Sequence, residues 1–209
     1  MCIRDRIRIA AAHPDSDAIF GAYSAALSFS GKTAEAEKIA KERLARLPKD
    51  RPALQALAQN AAYAGDYTTA ERYAQQIIDE LTPTLEDYNN AAWYALFTRK
   101  DLDHALEQAR HAAGNDRRSD SAALHTLAAV YAEMGKNLEA REALMQSIRK
   151  RGSDKPESSD WYVLGRIAEN YGVKDAALAA YHRVDNKDFT GASTFELAKR
   201  RLATLELVK

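Results

Sequence analysis

The sequence predicts an all-α solenoid of about five helix-turn-helix units closed by a C-terminal helix. Three observations predict it. A glycine–alanine pattern recurs along the chain, apolar residues inside each recurrence fall at helical spacing, and helix breakers are scarce. Gly31 and Gly65 are 34 residues apart and Gly135 and Gly172 are 37 apart, so four of the nine glycines hold one repeat position. Ala36, Ala70, Ala105, Ala140 and Ala177 share a second position, at spacings of 34, 35, 35 and 37. Only 5 prolines interrupt 209 residues rich in Ala, Leu, Glu, Lys and Arg, which makes helix the default expectation.

The array is expected over residues 15–192, with units starting near 17, 51, 86, 121 and 158. Each reads as a helical run, a short turn that contains the glycine, and a second helical run. In the first unit Phe20, Tyr23, Ser24 and Leu27 precede the turn, and Ala36, Ala40 and Pro48 follow it. The second carries Leu54, Leu57, Ala58 and Ala61, then Tyr67, Ala70, Ala74 and Ile77, a helical stripe and not a strand alternation. The third has Asn89, Ala92, Trp93 and Leu96, with Lys100 where glycine is expected. A lysine there has to make the turn without glycine's freedom. The fourth has Leu124, Leu127, Ala128, Tyr131, Ala140 and Leu144, and the fifth has Trp161, Leu164, Gly165, Ala177 and Tyr181. Paired helices approach to about 8–10 Å, so the alanine column is expected to mark their closest contact.

The ends read differently from one another. Residues 151–157 lengthen the join between units four and five, and 185–192 form a second loop. Residues 193–209 then predict a capping helix. Ser193 and Glu196 have capping-box spacing, Phe195, Ala198, Leu202 and Leu205 share an apolar face, and Lys199, Arg200 and Glu206 face away from it. A polar outer helix is what the end of a repeat array needs. At the other end Pro14 precedes Pro48 by 34 residues, so residues 7–14 read as the remnant of a preceding unit. Residues 1–6, "MCIRDR", look like a translated sequencing-adapter scar on a truncated chain, which makes Cys2 foreign. The apolar edge near Ile7, Ile9 and Phe20 is then expected to fray or to self-associate.

The pattern resembles the tetratricopeptide repeat, W-x2-L-G-x2-Y…A-x3-F…P with a period of about 34 residues. Trp161, Leu164, Gly165, Ala177 and Tyr181 match it best, and the likeness runs from residue 7 onward. The resemblance implies a right-handed superhelix of antiparallel helix pairs, with the first helix of each pair lining a concave face that binds a peptide or partner domain. It places Gln55, Gln59, Tyr63, Asn90, Tyr94, Phe97, Thr98, His125, Glu133, Tyr162, Arg166, Glu169 and Asn170 inward. Tyr63, Tyr94 and Phe97 then either anchor a partner or pack between neighbouring units. Some relatives clamp a terminal carboxylate with a lysine–asparagine–arginine set. Gly21, Ala25 and Asp87 stand at matching positions, so that clamp is absent.

No chemistry competes with this reading. Lys+Arg and Asp+Glu are both 30, and the clusters Arg149–Arg151 and Lys199–Arg201 are flanked by acids, so they read as solvated faces and not as a nucleic-acid site. No window holds the roughly 18 apolar residues of a membrane span. "SGKT" at 30–33 ends like a phosphate loop, but Ala26 stands where the loop needs its first glycine and no strand precedes it. His13, His104, His111, His125 and His182 form no metal-ligand spacing and read as solvent-facing. No serine lies in a nucleophile elbow, and no carboxylate pair suggests acid–base work. No cofactor is expected.

The leading expectation is a non-catalytic scaffold binding a protein or peptide on the concave face. Two alternatives stand beside it. "YNNAAWYALF" and "SDWYVLGRIAENYG" look loosely like repeat tails behind transglutaminase-like domains of large bacterial proteins, so the rival reading is the C-terminal tail of such an enzyme, itself non-catalytic. The third reading is a structural array that self-associates through its uncapped N-terminal end.

Overall fold

The computed structural model describes residues 16–114, 120–186 and 191–207; the scar expected at 1–6, the repeat remnant expected at 7–14 and His13 lie outside them. All regular structure among the described residues is helical. The chain divides into two compact units, Met1–Pro83 and Thr84–Lys209.

The first unit holds α1 (Asp17–Phe29), α2 (Thr33–Arg46), α3 (Arg51–Tyr63) and α4 (Tyr67–Glu80). Side-chain oxygens of Ser16, Asp50 and Asp66 accept from the backbone N–H three residues on and start α1, α3 and α4. Each pair is closed by one device. At the first turn Gly31 has φ +78°, and Lys32 N–H donates to Leu27 O at 2.9 Å, the six-to-one bond of a Schellman turn. This accounts for Gly31 within "SGKT". The core is Phe20, Ala40, Ala53, Ala56 and Leu57, with Ile39, Leu44 and Tyr73 packed on it. Phe20, expected on an exposed edge, is instead 9% exposed, with the Arg43 guanidinium 4.6 Å over its ring. Arg43 is itself buried and donates to both Asp50 carboxylate oxygens, at 2.9 and 3.0 Å, and to Asp17.

The second unit holds α5 (Leu85–Thr98), α6 (Leu102–Ala113), α7 (Ser121–Glu133), α8 (Asn137–Lys150), α9 (Ser158–Asn170), α10 (Lys174–Tyr181) and α11 (Thr194–Leu207). The first six form three hairpins, and the first helices α5, α7 and α9 pack side by side in order. Ala105, Ala140 and Ala177, like Ala36 and Ala70 in the first unit, are at most 1% exposed. These are the small positions at which paired helices touch.

Two turns show why residue identity matters. In the third pair the left-handed residue is Arg99, at φ +54°, and not Lys100. Without a glycine, the left-handed residue comes one position sooner, in the simpler cap in which Arg99 N–H donates to Ala95 O at 2.8 Å. In the fifth pair a β-carbon on Gly165 would lie 2.5 Å from the Tyr181 ring. That glycine is required by packing and not by its backbone angle.

Candidate functional site

The expected inward residues fall on the first helices, but they do different jobs. In the first unit Gln55, Gln59 and Tyr63 recur every fourth residue on α3, and all three are half-buried. In the second unit Asn90 and Tyr94 are one turn apart on α5 and half-buried, whereas Phe97 is 6% exposed. Phe97 meets the Trp93 ring edge-on, with centroids 6.1 Å apart. Asn170 ties its helix end to the preceding pair, donating to Ala132 O and Asn137 Oδ1 at 2.8 Å each. His125 departs from the solvent-facing reading, since it is 8% exposed and lies 6.0 Å from Trp93, centroid to centroid. Burial lowers its pKa, against the opposing pull of Asp160, whose carboxylate is 3.8 Å away.

Tyr162 and Arg166 belong to a buried ladder of alternating charge. Arg99 on the third turn reaches Glu133 at 3.1 Å, Arg166 reaches Glu133 at 2.6 Å, and Arg166 also reaches Glu169 at 2.7 Å. Tyr162 donates its hydroxyl to Glu133, and Tyr181 donates to Glu169 at 2.6 Å. Removing a carboxylate from water disfavours its charge, yet here the partners win. Burial raises the Glu169 pKa, but Arg201 and Tyr181 hydrogen bonds and the Arg166 charge bring it to about 2. Burial, followed by the Glu133 charge, pushes the Tyr162 hydroxyl well up. Burial works against the Arg166 charge, but Glu133, Tyr181, Glu169 and Tyr162 together outweigh that cost and raise its pKa. These tyrosines and carboxylates are committed to one another, so the cluster is a frame and not a nucleophile or base awaiting substrate.

The remaining member of the ladder comes from α11. Arg201 donates through Nε to Glu169 at 3.1 Å and makes a second bond through a terminal nitrogen. Arg200 donates to Phe97 O at 3.1 Å and places its guanidinium 5.7 Å over the Phe97 ring. Upstream, Trp93 Nε1 donates to Ala192 O at 2.8 Å. Thus the C-terminal segment spans from α9 and α10 to α5 across the first-helix face. The reading of Lys199–Arg201 as a solvated face is corrected for Arg201, which is half-buried on the Glu169 carboxylate; Lys199 and Arg200 stay exposed, and Arg200 reaches the Phe97 carbonyl and ring from the surface. The capping box expected of Ser193 and Glu196 is also corrected. Ser193 Oγ is buried without a hydrogen-bond partner, and Ser193 is joined to Glu196 through its carbonyl, which accepts Glu196 N–H at 3.1 Å.

Beneath the segment lies a cavity of about 420 Å³, walled by Asn89, Trp93, His125, Arg151, Glu157 and Ser193 among others. Asn89 Oδ1, His125 Nε2, Arg151 Nε and Ser193 Oγ are buried there without hydrogen-bond partners. Polar atoms so placed suit ordered water. Among the described residues no group of three or more His, Cys, Asp or Glu is placed to hold a metal, and no helix is long and apolar enough to cross a membrane. Sequence reasoning placed Glu133 and Glu169 inward through the repeat register. It missed Arg99, Arg200 and Arg201, whose partners lie far away in the chain.

No family model matches the chain, and neither does any curated protein. Solved structures do match. A tetratricopeptide repeat protein from Parabacteroides merdae superposes with a TM-score of 0.66 at 17% identity, over 98% of this chain and 76% of that one. The thermophilic TPR protein TTC0263 of Thermus thermophilus gives 0.61 at 19% identity, over 92% of this chain and 100% of that one. A chain in the APC/C hetero-tetramer Cut9–Hcn1 gives 0.68 at 15% identity, over 97% of this chain and 38% of that one. Helix pairs built on one alanine column, closed by glycine turns and superposing on these proteins, give this chain the tetratricopeptide-repeat fold.

Proposed function

We propose that the chain is a non-catalytic protein-interaction scaffold whose first-helix faces, the concave side in this fold, bind a peptide or helix of a partner protein. The observation that carries the reading is that the face of the second unit already holds a helix. Phe97 and Glu169 grip α11 through a ring face and a carboxylate, and Trp93 bonds the Ala192 carbonyl just ahead of it. A face that recognises one helix by side-chain and main-chain contacts has the chemistry to recognise another. In the same unit Asn90 and Tyr94 on α5 extend that chemistry with a half-buried amide and phenol, and the first unit carries a set of its own in Gln55, Gln59 and Tyr63 on α3. The Cut9–Hcn1 likeness supports the same class of role, since that chain is part of a named protein assembly.

The test is affinity capture from source lysate with the wild-type chain and an Asn90→Ala/Tyr94→Ala variant as bait. Phe97 is left intact because it is core. The expected result is a specific partner that is lost with the variant while the helical circular dichroism and melting temperature are retained. Equal capture by both baits overturns the proposed face.

A further inference from the structure

We propose that α11 is a releasable occupant of the first-helix face of the second unit, and that a partner helix with its chemistry, two consecutive arginines following an apolar pair, docks in its place. The inference rests on the scaffold reading and names the partner's chemistry.

The apolar attachment of α11 is small. Thr194, Leu197 and Ala198 are buried along its 14 residues, as few as on the outer helices α2 and α4, whereas α7 buries ten of 13. Leu207 at its end is 84% exposed. The apolar seal is therefore small, and elements with few buried contacts open at lower free energy than the core. What holds the helix in register is polar: Arg200 on Phe97 O and its ring, Arg201 on Glu169, and Trp93 on Ala192 O. Leu197 and Arg201 are four residues apart and so lie on one stripe of the helix, an apolar contact followed by a charged one.

The face, in contrast, is built before α11 arrives. Glu169 is positioned by Arg166 and Tyr181, both within the α9–α10 pair. Trp93 and Phe97 are positioned by their own helix and by each other. Removing α11 would uncover the Glu169 carboxylate, the Trp93–Phe97 ring pair and the Phe97 carbonyl, arranged to receive an arginine-bearing helix. Such polar anchors exchange readily, because a second helix offers the same bonds and the ionic part is weakened by salt.

The probe is a fluorescent peptide of residues 191–209 added to the full chain. The expected result is that it binds an Arg200→Ala/Arg201→Ala chain at least tenfold more tightly than the wild-type chain, because the variant's own helix no longer competes. The same peptide with both arginines changed to alanine is expected to lose that binding. Hydrogen exchange supplies the second measurement. In the variant chain α11 amides should lose protection while those of α5, α7 and α9 keep theirs. Equal peptide affinity for the two chains, no binding to either, or loss of protection across the whole unit would each overturn the proposal. Partner capture that depends on Asn90 and Tyr94 without peptide binding removes this inference alone. Peptide exchange without such capture supports the exchange and removes the proposed capture face.

Discussion

Arg201 closes a two-pronged hydrogen bond on Glu169, which already accepts from Tyr181 and pairs with Arg166. One carboxylate thus joins α9, α10 and α11, and it does so in its charged form.

That junction predicts an acid-sensitive attachment of the C-terminal helix. The Glu169 pKa is lowered to about 2, below the ordinary glutamate value of roughly 4.3. For a lowered carboxylate the stabilisation is fully present above the unfolded value and is lost as pH falls through the folded one. Arg166, Arg201 and Tyr181 face the group and remain protonated throughout that window. Far-UV circular dichroism and hydrogen exchange of α11 from pH 7 to pH 2 should show it released between about pH 4.5 and 2. Glu169→Gln should remove most of that pH dependence. An α11 as protected at pH 2.5 as at pH 7 would contradict the assignment.

Gly165 on α9 faces the Tyr181 ring of α10 with no room for a β-carbon. Alanine is intrinsically better than glycine inside a helix by about 1 kcal/mol. Here the added carbon meets a buried ring at 2.5 Å, and the ring is tethered through its hydroxyl to Glu169. Gly165→Ala should therefore destabilise, by about 1–3 kcal/mol in urea unfolding. In a Tyr181→Leu background the same change should become neutral or stabilising. An unchanged penalty in that background would mean that the ring is not its cause.

Arg43 is buried between Asp17 and Asp50 in the first unit. Arg43→Ala leaves the Asp50 carboxylate, 10% exposed, without its cation. The expected loss is about 3 kcal/mol, the lower end for breaking a buried pair, because Asp17 is 69% exposed and regains water. Arg43→Lys should recover less than half, since an ammonium cannot span both carboxylates and also cover Phe20. Chemical denaturation of the three proteins decides it. A fully rescuing lysine would show that charge alone was at stake.

The fold class was legible in the sequence because it depends on local and periodic properties. A glycine at one phase of a repeat predicts a left-handed turn, and Gly31, Gly65, Gly135 and Gly172 all have positive φ. An alanine at a second phase predicts close helix packing, and its five occurrences are buried. The third turn was legible only in part. The sequence shows that glycine is missing, but it does not show that Arg99 takes the left-handed position in place of Lys100, with its guanidinium 3.1 Å from Glu133.

The site was legible to the extent that repeat register reports a face. It placed Asn90, Tyr94, Phe97, His125, Tyr162 and Arg166 on first helices, and those helices pack side by side. It did not distinguish half-buried Asn90 and Tyr94 from Tyr162, which is 1% exposed, because that depends on what a neighbouring helix covers. Nor did it foresee that Arg200 bonds Phe97, 103 residues earlier. Helical periodicity assigns side chains to faces of their own helix, and on that basis Arg200 belongs with solvent. Only the tertiary structure returns α11 across the first-helix face, because the bonds that hold it there pair residues with no relation in the sequence pattern.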